Sequence, residues 1–306
     1  MIALIDCLLI QKKRCLMNFP ATLKTRLENA DQTHLLASWN DLNESEQQAF
    51  LAQLESIDFA QIQKDATDGK QTDSVDLIER ARNAKPPADL IGNDSPPAGS
   101  PARSVATERG ESLLQKGKVG AIVVAGGQGT RLGFPHPKGL FPIGPVSGEV
   151  LFQFLCGQIV ALSKKFGTTI PYYVMTSDAT HAEVVAGFEH ADYFGLDPQH
   201  VKFFKQGHMP AVDAKSGKLL LASPGTLALS PDGHGGMLSA LASQGLLDDM
   251  HQRGLEQLYY HQVDNPCLKL CDPEFLGFHD SSGSEMSTKV VRKISPEEKM
   301  GLLVDL

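Results

Sequence analysis

The sequence has little of what several large classes of protein require. Its 306 residues carry a net charge of −8 at pH 7 and have a pI near 5.7, whereas general nucleic-acid binding needs a broad basic face. A local basic pocket is still compatible with this balance, because an anionic ligand responds to the local field rather than to the net charge. We therefore exclude nucleic acid as a partner and retain small anions.

The sequence also lacks a membrane segment, since a span takes about 20 apolar residues and no run approaches that length. The N-terminal stretch MIALIDCLLIQKKRCLM is interrupted by Asp6, and its basic residues follow the apolar run, which is the reverse of a signal peptide. We predict a cytoplasmic protein with no membrane partner. We also predict a start upstream of Met1, with Met17 as an alternative initiator.

Cysteine is scarce and scattered, which argues against a disulfide framework in a chain of this length. The five cysteines are Cys7, Cys15, Cys156, Cys267 and Cys271. Cys267 and Cys271 have the spacing of half a metal site, but no second pair follows, so we predict reduced structural thiols. A hydrophobic content of 42% and a charged content of 21% are those of a soluble globular protein.

The first third of the chain is predicted to be helical. From about residue 21 to residue 65, leucines and aromatic residues recur at steps of three and four, which is the period of an amphipathic helix. The run 43–46, Asn-Glu-Ser-Glu, is typical of a helix start, and Trp39 is interpreted as a packing residue. Residues 85–103, KPPADLIGNDSPPAGSPAR, are dense in proline and are predicted to form an extended linker.

Beyond the linker, strand-like and helix-like stretches alternate. The predicted strands are 119–125, 170–176, 201–205 and 257–263, and the predicted helices are 149–165, 179–190 and 237–253. Such alternation indicates an α/β fold, with a mostly parallel sheet covered by helices on both faces. We predict a division into 1–103, which holds the helical segment and the linker, and 104–306, which holds the core.

Ligands of such sheets bind beyond the carboxyl ends of the strands. A glycine loop follows the first predicted strand, Gln206 follows the third, and Asp264 follows the fourth. We therefore expect all of them on one rim of the sheet.

The last stretch, 286–306, begins another strand pattern and stops on the apolar run MGLLVDL with no cap. We interpret the chain as a fragment whose core is incomplete at the C-terminus.

The glycine loop lies within 121–139, AIVVAGGQGTRLGFPHPKG. Glycine lets backbone N–H groups converge into a nest for anions, and Arg131 and Lys138 add fixed positive charge. The register excludes two familiar loops: Leu132 stands where a dinucleotide fingerprint needs its third glycine, and Lys138 stands where a Walker loop needs glycine. An ordinary tight turn would not explain the two cations. The loop therefore predicts a polyphosphate ligand.

The run AGGQGTRLGFPHPKG resembles the signature of the UDP-sugar pyrophosphorylases, especially the eukaryotic-type UDP-N-acetylglucosamine pyrophosphorylases. Further stretches fall in the family's order, from His34 to the end: HLLASWNDLNESEQQAFLAQL, MTSDATHAEV, FKQGHMPAVD, SPDGHGGMLSAL and QVDNPCLKLCDPEFLGF. The resemblance implies a glycosyltransferase-A-like, Rossmann-like nucleotidyltransferase core. It also implies that UTP and a sugar 1-phosphate are converted to a UDP-sugar and pyrophosphate. Family members continue considerably further.

The resemblance also implies roles for particular residues. The nucleotide would be held by Ala125, Gly126, Gly127, Gln128, Gly129, Gln206 and Gly233. The catalytic cations would be Arg131, facing the β- and γ-phosphates, and Lys138, contacting the α-phosphate. Gln206 would read uracil, because an amide offers both a donor and an acceptor. Asp264 would bind Mg²⁺, the implied cofactor, which needs few protein ligands because it keeps waters and takes substrate oxygens.

One position departs from the family pattern and leaves the sugar open. N-acetylglucosamine-type members have G-N-G-G where this chain has Gly233-His234-Gly235-Gly236, and the asparagine contacts the sugar. His234 resembles the G-H-G of UDP-glucose pyrophosphorylases instead, so that both N-acetylglucosamine 1-phosphate and glucose 1-phosphate stay candidates. His208 and His261 are interpreted as packing or surface residues.

Two other functions stay open at this point. One is a nucleotidyltransferase that uses a different base. The other is a non-catalytic nucleotide-sugar-binding module, because the family places further substrate-contacting residues, including a lysine, beyond the point where this chain ends.

Overall fold

A computed structural model of the chain describes residues 19–64, 74–87, 90–92, 96 and 99–305. The predictions on Cys7, Cys15 and Met17 lie outside these residues. The chain divides into two compact units. The helical unit comprises Met1–Lys85 and His208–Ser230, with Leu306, and the sheet unit comprises Pro86–Gly207 and Pro231–Asp305.

The described helices and strands are short and lie in both units. In chain order they are α1 Ala21–Asn29, α2 Glu44–Glu55, α3 Ser74–Asn83, α4 Pro101–Gln115, β1 Val119–Val124, α5 Leu151–Phe166, β2 Tyr172–Thr176, α6 His181–His190, β3 Val201–Lys205, β4 His208–Pro210, β5 Leu221–Ser223, β6 Thr226–Leu227, β7 Leu229–Pro231, α7 Met237–Ser243, α8 Leu246–Gln252, β8 Gln257–Gln262 and α9 Pro273–Ser282. None of these helices is both long and apolar enough to cross a bilayer.

The helical unit has its own apolar core. Asn43 starts α2 through a capping box: its side-chain oxygen accepts the N–H of Glu46 at 3.0 Å, and its own N–H donates to the Glu46 carboxylate at 2.9 Å. This confirms the helix start predicted at 43–46. Trp39 is 1% exposed and packs edge-on against Phe19 with ring centroids 4.8 Å apart, which confirms its packing role.

A distant segment, 208–230, completes this core. Leu219 and Leu227 are buried in the same cluster as Trp39. The Gln32 side chain joins the segments, because its oxygen accepts the N–H of Leu219 at 2.9 Å and its nitrogen donates to the carbonyl of Gly217 at 3.2 Å. The helical unit is thus discontinuous in sequence, which the predicted division at residue 103 does not anticipate.

Residues 86–103 belong to the sheet unit, and the end of the predicted linker is helical. Pro101 is the first residue of α4, with Ser100 as its N-cap, because the fixed φ of proline suits the first helical position. Helix α4 packs on α9 with backbones in contact: a Cβ built on Gly110 would lie 1.9 Å from the Pro273 carbonyl oxygen, and one on Gly277 would lie 1.7 Å from that of Ala106. Both glycines are therefore required by this helix pair.

The sheet unit is built on a parallel four-stranded sheet in the order β3-β2-β1-β8. Side chains alternate between two cores, one on each face. One core includes Val123, Val174, Phe152 and Ile159, and the other includes Ile122, Tyr173, Met175, Leu241 and Met250. The predicted α/β fold with a parallel sheet and helices on both faces is confirmed.

Two predicted elements differ from those observed. The helix predicted over 237–253 is two helices, α7 and α8, because Gly245 between them has a left-handed φ of +70°. The strand pattern of 286–306 forms no strand over 286–304. Most of its apolar side chains are exposed, Ile294 by 91%, so burial of one face does not stabilise a strand there.

Candidate functional site

The carboxyl ends of the sheet strands bring the predicted site residues to one rim. The ladder continues just beyond the strands, because the N–H groups of Ala125, Gln206 and Val263 donate to carbonyls of neighbouring strands at 2.8, 2.8 and 3.1 Å. The chain then leaves the sheet at Gly126 and Asp264. The glycine loop, Gln206 and Asp264 therefore start at the same level, as the alternating pattern predicts.

The glycine loop folds back on itself as a narrow hairpin. The N–H of Gly129 donates to the His136 carbonyl at 2.8 Å, and that of Lys138 donates to the Gly127 carbonyl at 3.1 Å. A Cβ built on Gly129 would lie 2.9 Å from the Phe134 carbonyl oxygen, so that glycine is needed there for the close approach. The hairpin returns Lys138 to the root of the loop.

The start of the glycine loop carries three consecutive backbone N–H groups. Within the part of the chain that the structure describes, those of Gly126, Gly127 and Gln128 have no hydrogen-bond acceptor. Gly127 and Gln128 are exposed, so these donors are open to a ligand. Successive free N–H groups in a tight loop form a site for an anion.

Lys138 lies beside this nest and pairs with Asp264. Its Nζ is 3.8 Å from a Cβ built on Gly127 and 3.1 Å from Oδ2 of Asp264. The Lys138 side chain is 27% exposed and that of Asp264 is 47% exposed. Beside the loop, the rim therefore presents a cation and a carboxylate that are both accessible to a ligand.

Gln206 lies at the root of the loop. It is only 8% exposed, and its amide makes no hydrogen bond with any described residue. Its Oε1 is 3.1 Å from a Cβ built on Gly126. Oδ1 of Asp232 is the one buried side-chain nitrogen or oxygen without a partner among the described residues, so the Gln206 amide reaches the surface and can offer a donor and an acceptor to a ligand.

Arg131 stands apart from this group. It is exposed on the turn Thr130–Leu132 and forms no ion pair or side-chain hydrogen bond with the residues described. Its guanidinium is therefore free to meet an anion that extends from the loop.

The PDGHGG segment, 231–236, adds Gly233 and His234. Two further residues, Tyr260 and Asp232, contact this segment or lie in it, and the sequence analysis gave neither of them a role. Gly233 has a φ of +63°, which favours glycine. The His234 ring nitrogen Nδ1 hydrogen-bonds the Tyr260 hydroxyl. Burial and the Asp264 charge raise the pKa of Tyr260. No motif marks Tyr260, which sequence analysis missed. The sequence feature that could have pointed to Tyr260 is its position near the carboxyl end of the predicted strand 257–263.

Asp232 is the second residue missed by the sequence. A Cβ built on Gly207 would lie 2.3 Å from its Oδ2, and one on Gly236 would lie 1.7 Å from the same atom. Its Oδ1 is buried with no hydrogen-bond partner among the described residues. The carboxylate thus fills the space that two glycines leave open.

The sequence analysis made predictions for two further histidines and for the cysteines. His261 is buried and hydrogen-bonds Tyr172 at 3.2 Å, and burial lowers its pKa to about 4, so that it is neutral and confirmed as a packing residue. His208 is exposed in the helical unit. Cys156, Cys267 and Cys271 are free thiols, of which Cys156 and Cys271 are buried and Cys267 is exposed. Among the residues described, no group of three or more His, Cys, Asp or Glu side chains could hold a metal ion.

The chain is similar, both in sequence and in structure, to enzymes that are named for UDP-sugars or for glucose 1-phosphate. The sequence model of a family described as UTP–glucose-1-phosphate uridylyltransferase matches residues 85–306. UDP-N-acetylglucosamine diphosphorylase 2 of Arabidopsis thaliana is 33% identical over 293 residues, which is 92% of this chain and 57% of that protein. UDP-N-acetylglucosamine pyrophosphorylase of Saccharomyces cerevisiae is 34% identical over 298 residues, which is 90% of this chain and 59% of that protein.

Among solved structures, uridine diphosphate N-acetylglucosamine pyrophosphorylase of Trypanosoma brucei, in complex with an inhibitor, superimposes with a TM-score of 0.75. It is 26% identical, and the match covers 94% of this chain and 60% of that one. The chain thus spans 57% and 59% of the length of the two curated relatives. Because the family match covers most of the chain and both relatives are about a third identical across nearly all of it, this protein belongs to the UTP–glucose-1-phosphate uridylyltransferase family.

Proposed function

We propose that this chain carries the nucleotide site of a uridylyltransferase, which forms a UDP-sugar and pyrophosphate from UTP and a sugar 1-phosphate. One observation carries the proposal: three N–H groups of the glycine loop that have no acceptor in the described chain lie beside the Lys138 ammonium, and the Gln206 amide, also without a partner there, lies against Gly126 at the root of the loop. An anion nest next to an amide that lacks a partner suits a nucleoside triphosphate, with the phosphates on the loop and the base on Gln206.

The reaction is an in-line displacement at the α-phosphorus. A phosphate oxygen of the sugar 1-phosphate forms a bond to this phosphorus, and the bond to the oxygen that bridges to the β-phosphorus breaks. Pyrophosphate leaves with the electron pair, so that no proton transfer to a protein base is needed. Catalysis of such a step is mostly positioning and neutralisation of charge.

Each residue of the rim then has a defined task. The N–H groups of Gly126, Gly127 and Gln128 bind phosphate oxygens, and Lys138 neutralises the α-phosphate at the point of attack. Arg131, exposed and without a partner in the described chain, stabilises the departing pyrophosphate. These contacts hold the triphosphate while the sugar phosphate approaches in line.

Asp264 fits the Mg²⁺ that this reaction would use. Its carboxylate is a hard oxygen donor at the rim and is half-exposed. A single protein carboxylate matches the coordination of Mg²⁺ on a nucleotide, where waters and phosphate oxygens fill the other positions. When bound, Mg²⁺ would supply charge neutralisation on the phosphates.

The sugar is proposed to be N-acetylglucosamine 1-phosphate. The relatives named above act, by their names, on UDP-N-acetylglucosamine, although the family description names glucose 1-phosphate. His234, in the predicted sugar position, is the residue of this chain on which that choice depends. A cytoplasmic location stays a prediction.

The test measures pyrophosphate release with Mg²⁺ for UTP, CTP, ATP and GTP, each with glucose 1-phosphate and with N-acetylglucosamine 1-phosphate. We expect release with UTP and the N-acetylated sugar, and loss of preference for UTP in Gln206→Ala. Equal use of all four triphosphates would overturn the uracil assignment. Binding of UTP without release would instead favour a nucleotide-sugar-binding module.

A further inference from the structure

Ser177 contacts the glycine loop from a neighbouring strand. It is the first residue after β2 and is only 7% exposed. Its hydroxyl donates a hydrogen bond of 2.8 Å to the carbonyl oxygen of Gly126. The partners lie 51 residues apart in sequence. The serine belongs to the stretch MTSDATHAEV, in which the sequence analysis gave it no role.

The serine is itself held rigidly. Its N–H donates to Oγ1 of Thr180 at 3.1 Å, and the two hydroxyls lie 3.0 Å apart. The N–H groups of Thr180 and His181 donate back to the Ser177 carbonyl at 3.1 and 2.8 Å. Thr180 is fully buried. This turn at the start of α6 therefore presents the Ser177 hydroxyl to the loop in a single orientation.

The bond determines which way a loop peptide faces. In a planar trans peptide the carbonyl and the following N–H point in opposite directions. A carbonyl of Gly126 that points to Ser177 thus turns the N–H of Gly127 away from Ser177, toward the exposed side of the loop. Glycine on both sides of this peptide makes the opposite orientation sterically accessible. That orientation would present a carbonyl oxygen to an anion instead of a donor.

We infer that Ser177 is a positioning residue for the triphosphate: its hydroxyl anchors the Gly126 carbonyl and so keeps the Gly127 N–H directed at the phosphates. The inference rests on the proposed function, because it assigns the loop's free N–H groups to a triphosphate. Gln206 also lies against Gly126: its Oε1 is 3.1 Å from a Cβ built on Gly126, and the backbone nitrogen of Ser177 is 3.3 Å from the same point. The residue proposed to recognise the base, Gln206, and the residue proposed to position the phosphate site, Ser177, therefore both contact Gly126.

The test compares Ser177→Ala with a matched control. Thr168→Val is the control. It also removes a hydroxyl that donates to a backbone carbonyl, that of Leu114 at 2.8 Å, but Thr168 precedes β2 and therefore lies away from the rim. We expect Ser177→Ala to raise the Kd for UTP by about five- to tenfold, the effect of one hydrogen bond. The Kd for uridine, which has no phosphate, should change less than about twofold by the same reasoning. Ser177→Thr should restore UTP binding.

Three results would overturn the inference: an unchanged Kd for UTP in Ser177→Ala, an equal loss for UTP and uridine, or the same loss in Thr168→Val. A second measurement does not depend on UTP. The NMR shifts of the Gly126 carbonyl carbon and the Gly127 amide nitrogen should move in Ser177→Ala and not in Thr168→Val. If the wild-type chain bound no UTP, the proposed function would fail, while these shifts would still decide whether Ser177 orients the peptide.

Discussion

Nζ of Lys138 lies 3.1 Å from Oδ2 of Asp264, although the two residues are 126 positions apart in the chain. One comes from the glycine loop after β1 and the other from the end of β8, so the parallel pairing of these strands brings them together. Both side chains are partly exposed, and ion pairs of this kind contribute less than about 1 kcal/mol to stability. The pair places the Lys138 ammonium at the proposed α-phosphate position and the Asp264 carboxylate at the proposed Mg²⁺ position.

Lys138→Met should abolish most activity with little effect on stability. The ammonium is proposed to neutralise the reacting phosphate, so we expect pyrophosphate release to fall by about 100-fold or more. The free energy of unfolding should change by less than about 1 kcal/mol. Lys165→Met is the matched control, because it breaks the surface pair that Lys165 forms with Glu111 at 2.8 Å. Similar activity of the two variants would contradict the role of Lys138.

Arg131→Ala should lower turnover much more than it weakens UDP-sugar binding. The partner of Arg131 is proposed to be the departing pyrophosphate, which the UDP-sugar lacks. Because Arg131 is exposed and has no partner in the described chain, the melting temperature should not change. Steady-state kinetics and calorimetric UDP-sugar binding measure the two effects. Lys116→Ala, an exposed cation that precedes β1, is the control, and an unchanged turnover in Arg131→Ala would refute the role.

His234→Asn should shift preference toward the N-acetylated sugar. The Tyr260 hydroxyl orients the His234 ring, so Tyr260→Phe should change the sugar preference in the same direction by releasing the ring. The measurement is the ratio of kcat/KM for N-acetylglucosamine 1-phosphate to that for glucose 1-phosphate. If this ratio is the same in the wild-type chain and in both variants, His234 and Tyr260 do not determine the sugar specificity.

Stability should fall as the pH drops from about 6.5 toward 4, in part because of His261. Burial lowers its pKa from 6.5 to about 4, so that the unfolded chain binds a proton over this range while the folded chain does not. The stability that neutral His261 contributes is therefore fully present above pH 6.5, the unfolded pKa. It is lost as the pH falls toward 4, by up to about 3 kcal/mol.

His261→Gln tests this pH effect and keeps a polar group near the Tyr172 hydroxyl. We expect urea unfolding at pH 7 and pH 4.5 to differ less in this variant than in the wild-type chain. His190→Gln, at the exposed end of α6, should keep the wild-type pH dependence. An undiminished loss of stability in His261→Gln would assign the effect to other groups.

Periodicity predicted most of the sheet unit, because it is a local property of the chain. Strand β3 was predicted with the observed bounds, 201–205, and β1, β2 and β8 were predicted to within two residues at each end. The helix pattern of 237–253 was wrong only where Gly245 interrupts it with a left-handed φ. Helices α4 and α9 were not predicted. They pack closely through Gly110 and Gly277, and neither helix has a clear apolar stripe that a periodicity search would find.

By itself, the sequence determined the parallel α/β fold, the rim on which Gln206 and Asp264 lie, and the family. The fold and the rim depend on hydrophobic period and on the succession of strands and helices along the chain, which are local features, and the family rests on the resemblance of several short motifs. Only the tertiary structure decided that 208–230 completes the helical unit, that Lys138 pairs with Asp264, and that Ser177 anchors the Gly126 carbonyl. Each of these joins residues far apart in sequence, and such contacts arise from the packing of whole elements rather than from any pattern within one of them.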